Sequence, residues 1–374
     1  MAEQAPRAIP STGRLMSIDA LRGFDMFWII GGDAIAGNLG LMFHIPLLEA
    51  TMAQLSNHVE WAGFRFYDMI FPLFLSIIGA TLPFSLGKHM EQGVPKGELI
   101  KKSMSRTAIL FFFGLLYNGA LDFKGWDHLR IFGVLQRQAL GYGIAAILFL
   151  TTSRRTQVIL FFSILIGYWA LMALVHVPGA HGGIYSEWGN MANAVDRLIL
   201  RPGQMYEKYG DPEGPVSLIP AISTALLGIF AGTWLKSSRT EGQKVLGLFV
   251  AGLICIAVGL AWSPFFPIIK KIWTSSYMLV AGGCSLELLA LFYFVVDVKG
   301  FKKLAFPFVV IGVNSITIYM VSRIVRFDDV AKFFVSGLAA LYPHSKDIIL
   351  ATGVVVAEWL FLYLLYRKKM FLKV

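Results

Sequence analysis

The chain has 374 residues, of which 56% are hydrophobic and only 15% are charged, whereas soluble domains carry about 25% charged residues. This composition excludes an ordinary soluble domain, and apolar runs of about 18 residues or more, each long enough to cross a bilayer, recur along the whole length. The net charge of +10 does not indicate nucleic-acid binding, because the basic residues lie in short loops between the apolar runs, as in proteins that contact anionic lipid.

Ten apolar segments follow one another along the chain, and each is predicted to be a transmembrane helix. Only helices and closed barrels satisfy their backbone in lipid, and these segments lack the alternation of barrel strands. They cover residues 17–39, 62–87, 104–121, 131–150, 156–177, 217–236, 244–262, 274–296, 303–325 and 347–367. The sequence therefore predicts an all-α integral membrane protein whose residues 1–374 form one polytopic domain, with a kink or break where Pro72 and Pro83 fall in the second helix.

Lysine and arginine are more frequent in the loops on the side of the N-terminus than in the loops on the other side. This bias predicts that both termini are cytoplasmic, with residues 1–13 flexible and the first helix serving as an uncleaved anchor. The longest connection, 178–216, is then external, either as a lid or sugar-facing loop or as an ordinary connector. Residues 328–342 predict a short interfacial amphipathic helix.

The first two predicted helices and the loop between them carry an unusual number of ionisable residues. These residues are Asp19, Arg22, Asp25, Asp33, His58, Glu60 and Asp68. Because an ionisable group at membrane depth costs about 2.5–3.5 kcal/mol even on the lenient insertion scale, we expect some of them to bind a ligand or take part in chemistry. The alternative is that they only pair with one another and lock the helices together.

His58, in the segment N-H-V-E-W, is the first candidate for chemistry. A neutral imidazole can take a proton from an attacking amine near neutral pH, or can itself accept an acyl group. A loop histidine by itself is more often an ordinary surface residue. Asp33 or Asp68 can hold an amine or orient the imidazole, and Asp25 and Asp33, eight residues apart, would share one face of a continuous helix.

Basic residues at two places are candidates for binding an anionic ligand. Arg130, Gln136 and Arg137 lie at the start of the fourth predicted helix, where an arginine can bind carboxylate or phosphate bidentately. A cytoplasmic cluster suits a phosphorylated cofactor, although the positive-inside rule alone accounts for it. That cluster consists of Lys101, Lys102, Arg106, Arg154 and Arg155.

The remaining polar residues give weaker signals. Asn314 and Tyr319 place polar groups in an apolar helix, where they either contact substrate or hydrogen-bond between helices. No metal site is predicted, because the seven histidines are scattered without ligand spacing. No disulfide is predicted either, since Cys255 and Cys284 lie separately inside apolar runs.

Eight short motifs, taken together and in order, resemble the heparan-α-glucosaminide N-acetyltransferase family within the wider transmembrane acyltransferases. They are R-L-x-S-x-D-x-x-R-G from Arg14, H-x-x-W-x-G from His58, D-x-x-F-P-x-F from Asp68, R-I-x-G-V-L-Q-R from Arg130, D-R-L-x-L from Asp196, D-P-E-G from Asp211, W-T-x-S-Y from Trp273 and G-x-N-S-I-x-x-Y from Gly312. They extend over about residues 14–320, which is most of the chain.

The resemblance implies an acetyltransferase that takes acetyl-CoA from the cytoplasm and acetylates an amino sugar, such as glucosamine or an amino-sugar glycan, on the outer side. The family's active-site histidine falls on His58, as general base or as a transient acetyl carrier. A bacterial-type member without the extra lumenal domain is expected, in the inner membrane, in contact with lipid and possible as a homodimer. The lysosomal enzyme has asparagine where Asp33 and Ala62 stand, so the acceptor pocket is expected to differ.

These considerations give one set of expected site residues. Catalytic roles are expected for His58, Asp33 and Asp68. Contacts with the acceptor are expected from Glu60, Trp61, Asp211, Glu213, Asn314 and Tyr319, and contacts with acetyl-CoA from Arg106, Arg130, Gln136, Arg137, Trp273 and Ser276. The alternative to an enzyme is a secondary transporter or permease for a sugar-like solute, because buried carboxylates and a proline-broken helix fit that function as well.

Overall fold

The computed structural model describes residues 15–43, 45–123, 125–178 and 182–372, and these residues form fifteen α-helices with short 3-10 and π segments and no β-strand. The helices are α1 Met16–Phe27, α2 Asp33–Phe43, α3 Pro46–Ser56, α4 Ile70–Glu91, α5 Lys96–Tyr117, α6 Val134–Thr151, α7 Arg154–Leu174, α8 Met191–Ile199, α9 Pro215–Lys236, α10 Glu241–Trp262, α11 Ser275–Phe292, α12 Lys302–Gly312, α13 Ser315–Ile324, α14 Phe327–Leu341 and α15 Lys346–Arg367. The flexible terminus predicted for 1–13 lies outside the described residues.

Eight helical stretches of the described chain are long and apolar enough to cross a membrane. A ninth arises if α12 and α13, which are bent by 53° at the break between them, are one span. The predicted third helix corresponds to α5, a helix of 22 residues whose first half carries several basic residues. The prediction of an all-α, multi-pass membrane protein with about ten helices is confirmed.

The first membrane segment is not a continuous helix. A π-helical turn, Trp28–Gly32, separates α1 from α2, and inside it Gly31 has a φ of 140°, which only glycine adopts readily. The break changes the register, so Asp25 is fully buried in α1 while Asp33 is half-buried at the start of α2. The continuous helix predicted through these two carboxylates is therefore interrupted at Trp28–Gly32.

The structure has no helix break at the two prolines, and it has a break at a place where none was predicted. The helix α4 runs without interruption through Pro72 and Pro83, so the predicted break there is absent. A break does occur between α12 and α13, where Asn314 lies between the two helices. A polar residue in this apolar stretch is explained by its position at the end of a helix, where backbone groups lack helical partners.

Small residues allow the central helices to approach closely. In α9, a Cβ on Gly228 would overlap the Ser76 carbonyl of α4, and a Cβ on Gly79 of α4 would overlap the Ala225 carbonyl of α9. Close backbone approach of this kind is a principal source of helix association in membranes, where lipid tails are as apolar as the side chains. The closely packed α4–α9 pair therefore supports the connection between α3 and α4.

The polar connections gather at one end of the helix bundle, which we name the His58 end and define by residues 57–65, 118–123, 125–133, 182–214 and 263–274. Several hydrogen bonds join these connections. Trp61 Nε1 donates to the Tyr185 carbonyl at 2.9 Å, the Gly63 N–H donates to the Ile268 carbonyl at 2.9 Å, and Gln204 Nε2 donates to the Trp126 carbonyl at 3.0 Å. The connection predicted as an external loop contains α8 and is packed into this end.

Candidate active site

The centre of the His58 end is a hydrogen-bonded pair between His58 and Asp68. His58 Nδ1 lies 2.8 Å from Asp68 Oδ1. The Asp68 side chain has no exposed surface, whereas the His58 side chain is 48% exposed. An ionised carboxylate can only accept a hydrogen bond, so Nδ1 carries the proton and Nε2 keeps a lone pair. A base that faces solvent and is oriented by a buried carboxylate is the arrangement used for proton transfer in acyl-transfer enzymes.

The backbone around Asp68 explains why this carboxylate is so well fixed. It lies in the 3-10 turn Phe66–Met69 that leads into α4. Its Oδ2 accepts the backbone N–H groups of Arg65 at 2.9 Å and of Val59 at 3.4 Å. The Tyr277 hydroxyl, from α11, donates to the Asp68 carbonyl at 2.8 Å. The carboxylate thus closes the loop that carries His58.

Lys270, from the connection between α10 and α11, completes this group. Its Nζ lies 2.9 Å from His58 Nδ1, 3.1 Å from His58 Nε2 and 3.6 Å from Asp68 Oδ1. Burial lowers the pKa of Lys270 to about 8, although the carboxylates of Asp68 and Glu213 oppose that shift. The histidine and the buried acid therefore come from one short segment, whereas the cation comes from a connection 212 residues further along the chain.

Asp33 reaches His58 through Tyr67. The Tyr67 ring stacks on the imidazole, with 4.6 Å between ring centroids, and its hydroxyl donates to Asp33 Oδ2 at 2.9 Å. Asp33 also lines a cavity of about 500 Å³ between the π-helical turn, α2 and α15, together with Asn38, Asp328 and Asp347. The cavity is acidic, and one of its lining residues, Asp33, is hydrogen-bonded to the hydroxyl of Tyr67, whose ring stacks on His58.

Arg130 is held by two carboxylates. Its Nε and Nη2 donate to Asp211 at 2.8 Å each, and Nη2 also contacts Glu213. Burial alone would lower the pKa of Arg130, but the two carboxylates outweigh it and raise the pKa above its ordinary value. The guanidinium has its anionic partners within the chain, and it ties the connection before α6 to the connection before α9.

Arg137 differs from Arg130 because part of its guanidinium has no partner. It is 2% exposed, and its Nη2 donates to the Pro212 carbonyl at 2.7 Å. Its Nε and Nη1 have no hydrogen-bond partner in the described part of the chain, and the same holds for Nε2 of the buried neighbour Gln136. Buried donors without partners are uncommon in native proteins and indicate a place for a ligand or water.

The other residues that were expected to contact acetyl-CoA lie apart from one another. Arg106 lies over the Tyr142 ring at 4.7 Å in the middle of α5, with its Nε unpartnered among the described residues. Trp273 is buried and donates to Thr224 Oγ1 at 3.2 Å. Ser276 donates to the Pro267 carbonyl at 3.1 Å. The contacts of Trp273 and Ser276 thus hold α11 and the connection that contains Lys270. Their contacts with acetyl-CoA stay predictions.

The expected acceptor contacts are divided in the same way. Glu60 is exposed near His58, and Trp61 packs edge to face against Tyr209 with 5.5 Å between centroids. Tyr319 stacks on Tyr117 at 4.5 Å, and Asn314 Nδ2 donates to the Met370 carbonyl at 3.2 Å. Of the acceptor set, Glu60 and Trp61 lie in the His58 loop, whereas Asp211 and Glu213 are paired with Arg130.

The comparison with known protein families agrees with the motifs and with this geometry. The family model described as heparan-alpha-glucosaminide N-acetyltransferase, catalytic, matches residues 14–258, well over half of the chain. This chain belongs to that family. The matched region contains His58, Asp68 and Arg130, so the base, its buried carboxylate and the arginine lock all lie within what the family model covers.

Two curated relatives extend the match. The human heparan-alpha-glucosaminide N-acetyltransferase is 29% identical, over 96% of this chain and 60% of its own length. The mouse protein of the same name is 28% identical, over 85% of this chain and 56% of its own length. The chain therefore spans somewhat more than half the length of these members of the heparan-α-glucosaminide N-acetyltransferase family.

Sequence reasoning missed Lys270, Tyr67 and Tyr277 as members of this group. Lys270 was counted only as a basic loop residue, and it lies beyond the 14–258 region that the family model matches. The available signals were Tyr67, directly before the D-x-x-F-P-x-F motif, and the lysine pair that only Ile272 separates from W-T-x-S-Y. Each motif identifies one segment of the chain, but the sequence does not show which segments are in contact.

Proposed function

We propose that this chain is a membrane-bound N-acetyltransferase that moves the acetyl group of acetyl-CoA to the amine of an amino sugar at the His58 end. One observation carries the proposal: the exposed imidazole of His58 is hydrogen-bonded at 2.8 Å to the fully buried carboxylate of Asp68. Membership of the heparan-alpha-glucosaminide N-acetyltransferase family supports this reaction class. That the chain is a multi-pass membrane protein of an acetyltransferase family holds independently of this proposed reaction.

The chemistry assigned to the pair follows from the tautomer. With its proton on Nδ1, His58 presents the Nε2 lone pair and can remove a proton from the acceptor amine as that nitrogen attacks the thioester carbonyl. The new C–N bond forms, the C–S bond breaks, and the proton leaves with the thiolate as the free thiol. In the second route Nε2 first takes the acetyl group and then passes it to the amine. Asp68 stabilises the positive imidazole in both routes.

The acidic cavity beside Asp33 suits the acceptor. Its carboxylates Asp33, Asp328 and Asp347 favour a cationic group, and a protonated amino sugar is one. The cavity of about 500 Å³ lies within the range of small-molecule sites, and Asp33 is connected to His58 through Tyr67. An ammonium held at Asp33 has to give up a proton before its nitrogen can attack the thioester.

Acetyl-CoA as the source of the acetyl group is supported by buried N–H groups that lack a hydrogen-bond partner among the described residues. It is not supported by every arginine that was expected to bind it. Arg137, Gln136 and Arg106 keep N–H groups without partners in the described residues, and these can bond to carbonyl or phosphate oxygens. Arg130 has its charge balanced by Asp211 and Glu213. We therefore assign donor contacts to the first three residues and a structural role to Arg130.

The direction of transfer follows from the distribution of lysine and arginine. The lysine and arginine bias supports cytoplasmic termini and, with them, a His58 end on the outer side; acetyl-CoA then enters the bundle from the cytoplasm, and the acetyl group is delivered to the outer side of a bacterial inner membrane. The acetylated product is an amide on an amino sugar or amino-sugar glycan.

The deciding experiment is acetyl transfer by the purified protein. Acetyl-CoA labelled in the acetyl group is supplied with a panel of amino sugars, and wild type is compared with His58→Ala and His58→Gln. Labelled N-acetyl sugar that forms with wild type and falls by at least about 100-fold in both variants supports the proposal. Equal activity in both folded variants removes His58 from the chemistry.

The same preparation separates the enzyme from a transporter. Proteoliposomes are loaded with buffer and given labelled amino sugar in the absence of acetyl-CoA. Uptake of unmodified sugar here, together with no acetylation of any sugar when acetyl-CoA is supplied, contradicts the enzyme proposal and supports a permease.

A further inference from the structure

The position of Lys270 relative to His58 is unusual for a surface lysine. Its ammonium nitrogen lies within 3.1 Å of both ring nitrogens and 3.6 Å from the Asp68 carboxylate, and the side chain is only 18% exposed. When Nδ1 donates to Asp68, the lone pair of the ring is on Nε2, which lies 3.1 Å from the lysine nitrogen. The lysine therefore contacts the atom that has to accept a proton.

Charge balance gives this contact a consequence. The Asp68 carboxylate has no exposed surface, and a buried carboxylate is stable in its ionised form only beside a cation. Two groups beside it can be that cation, Lys270 or a protonated His58. While Lys270 is charged, a second positive charge on the imidazole about 3 Å away is disfavoured. His58 is then left neutral, which is the form that acts as a base.

The other ionisable groups around the pair leave this balance to Lys270. Arg65 directs its Nη1 to the His58 carbonyl at 3.1 Å, not to the carboxylate. Tyr67 stacks on the ring and donates its hydroxyl to Asp33. Glu60 lies two residues along the same loop and is exposed, so its charge is screened by water.

The charges that face Lys270 itself come from separate elements. Glu213, in the connection before α9, adds to the attraction of Asp68, whereas the adjacent Lys271 repels it. Lys271 is directed elsewhere and donates to Glu207 Oε1 at 2.7 Å and to the Tyr209 hydroxyl at 2.8 Å. The two consecutive lysines thus have different partners, and only Lys270 contacts the His58–Asp68 pair.

We propose that Lys270 is a positioning residue of the acetyltransferase site, supplying the fixed cation that balances Asp68 and so keeps the resting His58 in its neutral form. The inference rests on the proposed function for its catalytic meaning, but the protonation state of His58 is measurable without any substrate. Without the lysine, His58 takes a proton to balance Asp68 and loses its lone pair. Activity then requires a higher pH.

The test compares Lys270→Met, Lys270→Arg and Lys271→Met with wild type. The pH dependence of kcat/KM is measured with acetyl-CoA and an accepted amino sugar. We expect the acidic limb of the profile to move up by about one pH unit in Lys270→Met, which is the size of shift that loss of one charge at this distance causes. Lys270→Arg keeps the charge and is expected to keep the wild-type limb, and Lys271→Met is expected to leave it unmoved.

A second readout uses no substrate. Protein labelled with 15N in the histidine ring is titrated by NMR, and the His58 signal is assigned by its absence in His58→Gln. Lys270→Met is expected to hold His58 as imidazolium at a pH where wild type is neutral.

The outcomes separate the two proposals. A Lys270→Met variant that is less active at every pH, with an unmoved acidic limb and an unmoved His58 titration, overturns the role of Lys270 while the acetyltransferase stands. If wild type acetylates no acceptor, the proposed function fails, and the NMR titration alone decides whether Lys270 controls the protonation of His58.

Discussion

The imidazole of His58 and the carboxylate of Asp68 are 2.8 Å apart, yet one side chain is 48% exposed and the other has no exposed surface. The pair therefore crosses the boundary between solvent and the interior of the bundle. A substrate can reach the base, whereas water cannot reach the carboxylate that orients it. This asymmetry is what makes the pair suitable for proton transfer, and it gives the first prediction.

Asp68→Asn is expected to lower kcat by about 100-fold or more, because an amide stabilises neither the correct tautomer nor a positive imidazole. Steady-state acetylation kinetics measure the effect, and thermal unfolding verifies that the variant is folded. Asp329→Asn, which only removes an exposed ion pair with Arg326, is the control and is expected to keep wild-type kcat. A folded Asp68→Asn variant within threefold of wild type contradicts the assignment.

Tyr67→Phe is expected to weaken binding of the acceptor more than it changes kcat. The substitution keeps the ring stacked on His58 and removes only the hydroxyl that donates to Asp33 at 2.9 Å. A hydrogen bond to a charged group contributes about 1.5–3 kcal/mol, so the KM for the amino sugar should rise by roughly tenfold or more. Tyr363→Phe, on α15, serves as the matched control. An unchanged KM with a lower kcat would mean that Tyr67 acts on His58 instead.

Arg130→Met tests whether this arginine is structural. Removing it leaves the carboxylates of Asp211 and Glu213 buried without their cation, which costs about 3–5 kcal/mol. We expect a clear fall in the thermal unfolding temperature in detergent. Arg326→Met breaks an exposed pair with Asp329 and is expected to cost less than about 1 kcal/mol. An Arg130→Met protein as stable as wild type that no longer binds acetyl-CoA would restore this residue to the donor site.

Asp196 is expected to make stability depend on pH. Burial raises the pKa of Asp196 to about 7, from 3.8, and its Oδ2 accepts the backbone N–H of Asp211 at 3.0 Å. Between about pH 4 and pH 7 the unfolded chain has lost this proton while the folded protein keeps it. The free energy of unfolding therefore falls as the pH rises through that window. The fall is about 1.4 kcal/mol for each unit of pKa shift, which gives a few kcal/mol in total.

The variant that isolates this effect is Asp196→Asn, which stays neutral in both states. Thermal unfolding from pH 4 to pH 8 should show a smaller fall of stability with pH in this variant than in wild type. Glu98→Gln, at an exposed position in α5, controls for the loss of a carboxylate. Identical pH dependence in wild type and Asp196→Asn would refute the proton at Asp196.

Gly228→Ala is expected to destabilise the bundle. A Cβ at this position would overlap the Ser76 backbone carbonyl, so α4 and α9 have to move apart. Gly167 in α7 is the matched control, because a Cβ there meets no atom within 4 Å. Alanine favours a helix by up to about 1 kcal/mol over glycine, so Gly167→Ala should be neutral or slightly stabilising. A Gly228→Ala protein as stable as Gly167→Ala would show that the contact is not tight.

The sequence by itself determined the architecture and indicated His58 as the candidate base. Hydropathy is a local property, so long apolar runs predict membrane helices without knowledge of their neighbours. His58 and Asp68 are ten residues apart, on either side of a short loop, and motifs around both residues indicated their importance. Here local sequence and local structure agree.

Only the tertiary structure decided which charges balance one another. Lys270 is 212 residues from His58, and Arg130 is 81 residues from Asp211, so no local pattern relates them. Arg65 is only three residues from Asp68, yet it gives this carboxylate its backbone N–H, and the balancing charge comes from Lys270. Ion pairing depends on distances of 3–4 Å, and such distances between separate helices are set by how the helices pack.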